Sequence, residues 1–166
     1  MENIDRFVKR SEELREKDLV TDAEELIRDA LEDYEESWQL WSELGQILIR
    51  KQDFSEAASA FQNATNFGPG EFWPWLYLGH AQRELGDFQA AIEATENALS
   101  VEIGETELNL VYYNLARYCA LLNRKEEAMD YLKTALEKDS SLREMAREDE
   151  DLDSLRNEPG FEFLTE

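Results

Sequence analysis

Apolar and small residues recur along this chain at i, i+3, i+4 and i+7, and the same set returns roughly every 34 residues. Trp75, Leu78, Gly79 and Gln82 share one face of a helix, and Ala91, Thr95 and Ala98 share one face of a second. Between them Gly86-Asp87 breaks the helix, with Gly86 free to take a left-handed, helix-ending conformation. The spacing therefore predicts helix, tight turn, helix. At 34 residues upstream the marker positions hold Trp41, Leu44, Gly45, Phe54, Ala57 and Ala64; at 37 downstream they hold Tyr112, Leu115, Ala116, Lys125, Ala128 and Ala135. Gly79 and Ala91 are both small, which lets two helix axes approach closely. Each pair leaves an apolar face open for the next to cover, and self-similarity at this period marks a helical repeat array.

The first clear unit spans 38–71, with helices over 38–51 and 54–67, and Gly68-Pro69-Gly70 closes it. The second spans 72–105, and Pro74 falls in its first turn, where a missing N–H costs nothing. The third spans 106–142, with Asn123 in the place of Gly86. The phase slips by three residues within Gly104–Glu107. A lengthened loop is the expected cause; an early helix start, capped by Thr106, is the other. In 1–37, Phe7, Ser11, Ala23, Ile27 and Ala30 occupy marker positions, so a degenerate N-terminal unit with a polar outer face is expected. An unrelated amphipathic pair, or a frayed first helix, stays open. Residues 143–166 are expected to cap the array. Leu142, Met145 and Ala146 would cover Leu132 and Ala135, and Leu152, Leu155, Phe161, Phe163 and Leu164 would fold back as short helices.

The pattern W-x2-L-G at Trp41–Gly45 and Trp75–Gly79, followed in the first unit by Ala57, Phe61, Ala64 and Pro69, resembles the tetratricopeptide repeat. The second unit keeps Ala91 and Ala98 but has Thr95 where Phe61 stands. The third has Tyr112, Ala116, Leu132 and Ser140 at the tryptophan, glycine, phenylalanine and proline positions. The resemblance covers 38–142. It implies one all-α domain over 1–166, a right-handed α-solenoid of antiparallel helix pairs whose first helices line a concave surface. The segment Asp151–Phe161 is similar to endings common after the last repeat in bacterial members, which suggests a bacterial or archaeal source.

Charge narrows the partners. The 39 acidic and 17 basic side chains leave a net charge of −22, which argues against nucleic acid and against an anionic membrane surface. The single cysteine, Cys119, excludes an intramolecular disulfide and suits a reducing compartment. The N-terminal stretch is charged from Glu2 onward, with no signal-peptide core and no apolar run long enough to span a bilayer, so a cytoplasmic location is expected. Catalytic chemistry is not expected: His80 is the only histidine, and no phosphate loop or paired Cys/His motif occurs. Asp149, Asp151 and Asp153 begin like a calcium loop, but Ser154 and Gly160 stand where glycine and a carboxylate are needed. That run is expected to be a solvated acidic face, with no metal and no cofactor.

What remains is a binding groove. On helix 72–85 the stripe opposite the core face is Trp73, Leu76, Tyr77, His80, Arg83 and Glu84. The matching stripes are Gln39, Ser42, Glu43, Gln46, Ile49 and Arg50 upstream, and Leu110, Tyr113, Asn114, Arg117, Ala120 and Leu121 downstream. Exposed aromatics with arginine are what interface centres favour. The candidate protein-binding residues are Gln46, Arg50, Trp73, Leu76, Tyr77, His80, Arg83, Tyr113, Asn114 and Arg117. The competing reading packs Trp73, Leu76 and Tyr113 against their own second helices. Some family members grip a C-terminal carboxylate with lysine, asparagine and arginine on these stripes. Ser42, Gln46, Tyr77, Leu110 and Asn114 do not match that set. The expected function is a non-catalytic protein-interaction adaptor, monomeric or weakly self-associating. Its partner segment would place apolar or aromatic anchors on Trp73, Tyr77 and Tyr113 and a carboxylate on Arg50, Arg83 or Arg117. A small acidic secretion-type chaperone and a self-assembling scaffold are the alternatives.

Overall fold

The computed structural model describes residues 2–166, so Met1, where the first unit was placed to begin, lies outside the described residues. Four antiparallel helix pairs follow one another: α1 (Glu2–Glu16) with α2 (Val20–Asp33), α3 (Trp38–Arg50) with α4 (Phe54–Phe67), α5 (Phe72–Glu84) with α6 (Phe88–Ala98), and α7 (Glu105–Leu121) with α8 (Lys125–Lys138). The chain then folds back through α9 (Leu142–Glu148), a 3-10 helix (Glu150–Leu155) and α10 (Phe161–Thr165). Among the described residues there is no strand. The result is a right-handed all-α solenoid, each pair stacked on the next.

The four turns inside the pairs are built alike. Asp18, Gln52, Gly86 and Asn123 have φ of 61°, 61°, 78° and 57°, and they recur at the repeat spacing. The next residue's N–H reaches back over the turn in each: Leu19 to the Leu14 carbonyl at 2.9 Å, Asp53 to Leu48 at 3.0 Å, Asp87 to Gln82 at 3.0 Å, and Arg124 to Cys119 at 2.9 Å. This closure satisfies carbonyls that a helix end leaves orphaned. Asp53 and Asp87 then cap α4 and α6 by accepting the Glu56 and Ala90 N–H groups.

Within a pair, the small residues set the approach. A Cβ on Gly45 would meet the Phe61 ring at 2.6 Å, so only glycine lets the fully buried phenylalanine lie across α3. In the next pair a Cβ on Gly79 would lie 3.1 Å from the Ala91 carbonyl, and Thr95 replaces the ring. Ala91 is fully buried. Ala91→Phe is therefore expected to overpack α5 against α6 and cost about 1–3 kcal/mol. Glu93 is exposed on the same helix, and Glu93→Ala should stay within about 0.5 kcal/mol. Equal urea midpoints for Ala91→Phe and the parent would show that this helix register is wrong.

The N-terminal unit is a helix pair, with Ser11, Ala23 and Ile27 fully buried and Ala30 nearly so. Two sequence expectations change. The three-residue slip does not sit in a lengthened loop alone. α7 has 17 residues where α3 and α5 have 13, and its N-cap is Gly104 rather than Thr106. Of the expected cap residues, Met145 and Phe163 face solvent, while Ala146, Leu152, Leu155 and Phe161 cover the last pair. These four join the same apolar cluster as Leu132, Ala135 and Leu136.

Candidate functional site

The first helices of successive pairs lie side by side, α1 beside α3 and α3 beside α5, and form the concave wall. Its N-terminal half is an open groove of about 550 Å³. Asp5, Val8, Lys9 and Glu12 line it from α1, Trp38, Gln39, Ser42, Glu43 and Gln46 from α3, and Trp73 and Tyr77 from α5. A ladder of rings forms one side. Tyr77 stacks on buried Phe61 with centroids 5.4 Å apart, and Trp73 stacks on Tyr77 at 5.8 Å. Trp73 stays 47% exposed, which leaves an aromatic face available to a ligand.

A buried charge holds the groove's base. Glu43 on α3 is almost wholly buried; it accepts the Ser11 hydroxyl at 2.6 Å and the Arg15 guanidinium through two bonds of 2.9 and 3.0 Å. Burial pushes its carboxyl above the usual glutamate range, outweighing the lowering by Ser11 and Arg15. Arg50 is exposed and donates to the Arg15 carbonyl at 2.8 Å, at the end of α3 rather than inside the groove.

The C-terminal half of the wall is already occupied. The 3-10 helix runs alongside α7: the Tyr113 hydroxyl donates to Asp149 at 3.0 Å, Arg117 holds Asp151 at 2.7 Å, and Ser154 donates to the Ala120 carbonyl at 2.9 Å. Arg83 on α5 grips Asp151 with two nitrogens and also pairs with Glu84. Asn114 accepts from Arg117 at 3.2 Å. Hydrogen bonding to Asp151 holds the Arg83 guanidinium above its ordinary range. The expectation that Arg83 and Arg117 stand open to a partner's carboxylate is thereby corrected: the chain supplies that carboxylate itself. Tyr113 and Leu76 are buried, 3% and 5% exposed, and support the wall from beneath. His80 is half-buried. Burial lowers its pKa, Glu84 and Asp151 oppose that, and Arg83 and Arg117 add to the lowering.

Of the ten predicted residues, Gln46, Trp73 and Tyr77 come together in the open groove. Arg83, Asn114 and Arg117 form a second cluster around Asp151. The α1 residues Asp5, Val8, Lys9 and Glu12 were missed, because the first helix carries few repeat markers. Their i, i+4, i+7 spacing from Asp5 to Glu12 was the available signal. Buried Cys119 has its thiol pushed up to about 11 by burial, which leaves it protonated. Among the described residues no His, Cys, Asp or Glu cluster could hold a metal ion, and no helix is long and apolar enough to cross a membrane.

A family model described as tetratricopeptide repeat matches residues 9–71 and 76–142. Among solved structures, a crystal structure of MamA superposes with a TM-score of 0.75 at 22% identity, covering 86% of this chain and 81% of that one. MamA from AMB-1 gives 0.73 at 24% identity, over 83% and 80%. The pilF protein of Pseudomonas aeruginosa gives 0.78 at 15% identity, over 93% and 68%. Identities this low carry the fold alone. No curated protein matches the chain in sequence.

Proposed function

The chain belongs to the tetratricopeptide repeat family, and from that premise we propose that it is a non-catalytic adaptor holding a segment of another protein in its concave groove. The observation that carries this reading is the exposed face of Trp73, stacked on Tyr77 above the open groove. A large apolar face kept in solvent is costly unless something covers it, and aromatic residues at the centre of a pocket dominate protein interfaces. The segment would place an apolar or aromatic anchor on Trp73 and Tyr77, with Gln46 offering a polar contact on the opposite helix. Arg50 would serve at most as a rim contact, given its place at the end of α3. Leu76 and Tyr113 would act by supporting the wall, and Arg83, Asn114 and Arg117 by fixing the C-terminal segment. Work in the cytoplasm is part of the same proposal.

Affinity capture from the native lysate with the parent, Trp73→Ala and Tyr77→Ala tests it. Trp73→Ala removes a half-exposed ring that stacks on Tyr77 and should lower the melting midpoint only modestly, leaving the protein folded. Binding of the captured partner should weaken about ten-fold or more in both variants. A partner retained equally by all three would place the working surface elsewhere, most plausibly on the acidic convex face.

A further inference from the structure

The concave stripes carry Arg50, Arg83 and Arg117 against Glu43 and Glu84 in sequence, and the open groove does not keep that balance. Three arginines of the concave wall are paired with internal carboxylates, Arg15 with Glu43 and Arg83 and Arg117 with Asp151, while the exposed Arg50 keeps its charge at the end of α3, outside the groove lining. Glu43 is neutralised in the same exchange. Asp5, Lys9 and Glu12 remain, three exposed side chains on one stripe of α1, with net charge −1 among them. Trp73 and Tyr77 line the same groove from α5, and Trp38 lines it from α3 between them. Carboxylates on one wall and aromatic faces on the other are the chemistry that recognises a cation. The field of a chain with net charge −22 acts in the same sense and repels an acidic ligand.

We propose that the occupant of this groove is a partner-protein segment bearing an arginine, its guanidinium lying over Trp73 within reach of Asp5 or Glu12. The proposal rests on the groove being the working surface. Arginine fits better than lysine because its delocalised plane stacks on an indole while its edge still donates two bonds to a carboxylate. The groove's volume of about 550 Å³ suits a few side chains of a segment rather than a folded surface. Attraction between unlike charges at an exposed site is screened by salt. Affinity should therefore fall as ionic strength rises, where an apolar anchor alone would not respond.

The test uses the whole chain and four capped synthetic peptides of equal length, with leucine at alternate positions and arginine, lysine, glutamine or glutamate between. Calorimetry and tryptophan fluorescence read binding, since Trp38 and Trp73 line the groove. The arginine peptide should bind one to one, the lysine peptide more weakly, the glutamine peptide about ten-fold weaker or less, and the glutamate peptide not at all. Asp5→Lys/Glu12→Lys should weaken the arginine peptide about ten-fold or more. Glu93→Lys/Glu96→Lys makes the same change of charge on exposed positions of α6 and should stay within about two-fold. Equal losses in the two double variants would mean bulk attraction and overturn the proposal. Failure of the arginine peptide to saturate, or its indifference to Trp73→Ala, would overturn it as well. If all four peptides bind alike and all are lost with Trp73→Ala, the groove stands as the working surface and the cation falls.

Discussion

Deletion of residues 143–166 is expected to convert the protein into a self-associating or insoluble species. Among the described residues the last full pair, α7 with α8, is followed by no further repeat, and an open end pair needs a cover with a polar outer side. That cover is the returning C-terminal segment. Leu152 and Leu155 are fully buried and Phe161 is 4% exposed, all in one cluster with Leu132, Ala135 and Leu136. Burying each such side chain contributes about 1.5–3 kcal/mol. The three together account for a large part of the ~5–15 kcal/mol that holds a domain of this size. Deletion also leaves Arg83 and Arg117 without Asp151, the carboxylate both of them grip. Sedimentation velocity and thermal melts of the truncated chain read the outcome. A monodisperse monomer with the parent's midpoint would show that the segment is an appendage. Leu152→Ala separates packing from length and should cost about 2–5 kcal/mol in the intact chain.

The fold was legible wherever one residue type is forced by a close contact. Gly45 against Phe61 leaves no room for a Cβ and Gly79 is tight against Ala91, so the two middle pairs could be read directly. The turns were harder. Gly86 and Asn123 announce a left-handed residue, but Gln52 and Asp18 take the same conformation without announcing it. There the hydrogen bonds that close the turn outweigh a cost of about 1–2 kcal/mol for a side chain at positive φ. The same silence at Asp18 hid the completeness of the first pair. The phase slip was ambiguous for another reason: three residues are close to one helical turn, so a longer helix keeps the stripe nearly in register as well as a longer loop does.

The site was half legible. Spacing places Trp73, Tyr77 and Gln46 on the concave stripe, and the structure puts them around one groove. Spacing along one helix says nothing about a charge that arrives from elsewhere. Asp151 reaches Arg83 across 68 positions and Arg117 across 34, and only the return of the chain brings them together. The stripes that carry Arg50, Arg83 and Arg117 against Glu43 and Glu84 in sequence thus become a neutralised cluster at one end and an acidic groove at the other. Asp149 and Asp151 were read as a solvated face for the same reason; both are drawn in by the arginines.

Arg15→Ala is expected to be the most damaging single substitution away from the apolar core, and its cost should depend on pH. Arg15 joins α1 to α3 through its two bonds to Glu43, which is 1% exposed. Removing the arginine leaves a carboxylate in the interior with one remaining partner, the Ser11 hydroxyl. Breaking a buried pair from one side costs about 3–5 kcal/mol, because the other charge stays uncompensated. Burial already raises the Glu43 pKa in the parent, and the variant should raise it further. A raised carboxyl pKa means that the folded state takes up the proton more readily than the unfolded chain. Its stabilising contribution is full below the usual glutamate range and is lost as pH rises through the folded value. The difference between variant and parent should therefore be largest at neutral pH. It should shrink in acid toward the ~1 kcal/mol of an ordinary lost hydrogen bond. Urea midpoints of both proteins across that range give the comparison directly, since other carboxyls titrate in both. A difference that stays constant with pH would show that the Glu43 charge is not the cause. Arg15→Met/Glu43→Met removes both charges and should recover most of the loss, because no buried charge is left unpaired and only the Ser11 hydroxyl loses its partner. That double variant also keeps α1 in place, and with it Asp5 and Glu12 at the groove. Arginine-peptide binding should accordingly survive in the double variant and weaken in Arg15→Ala, where α1 loses its anchor.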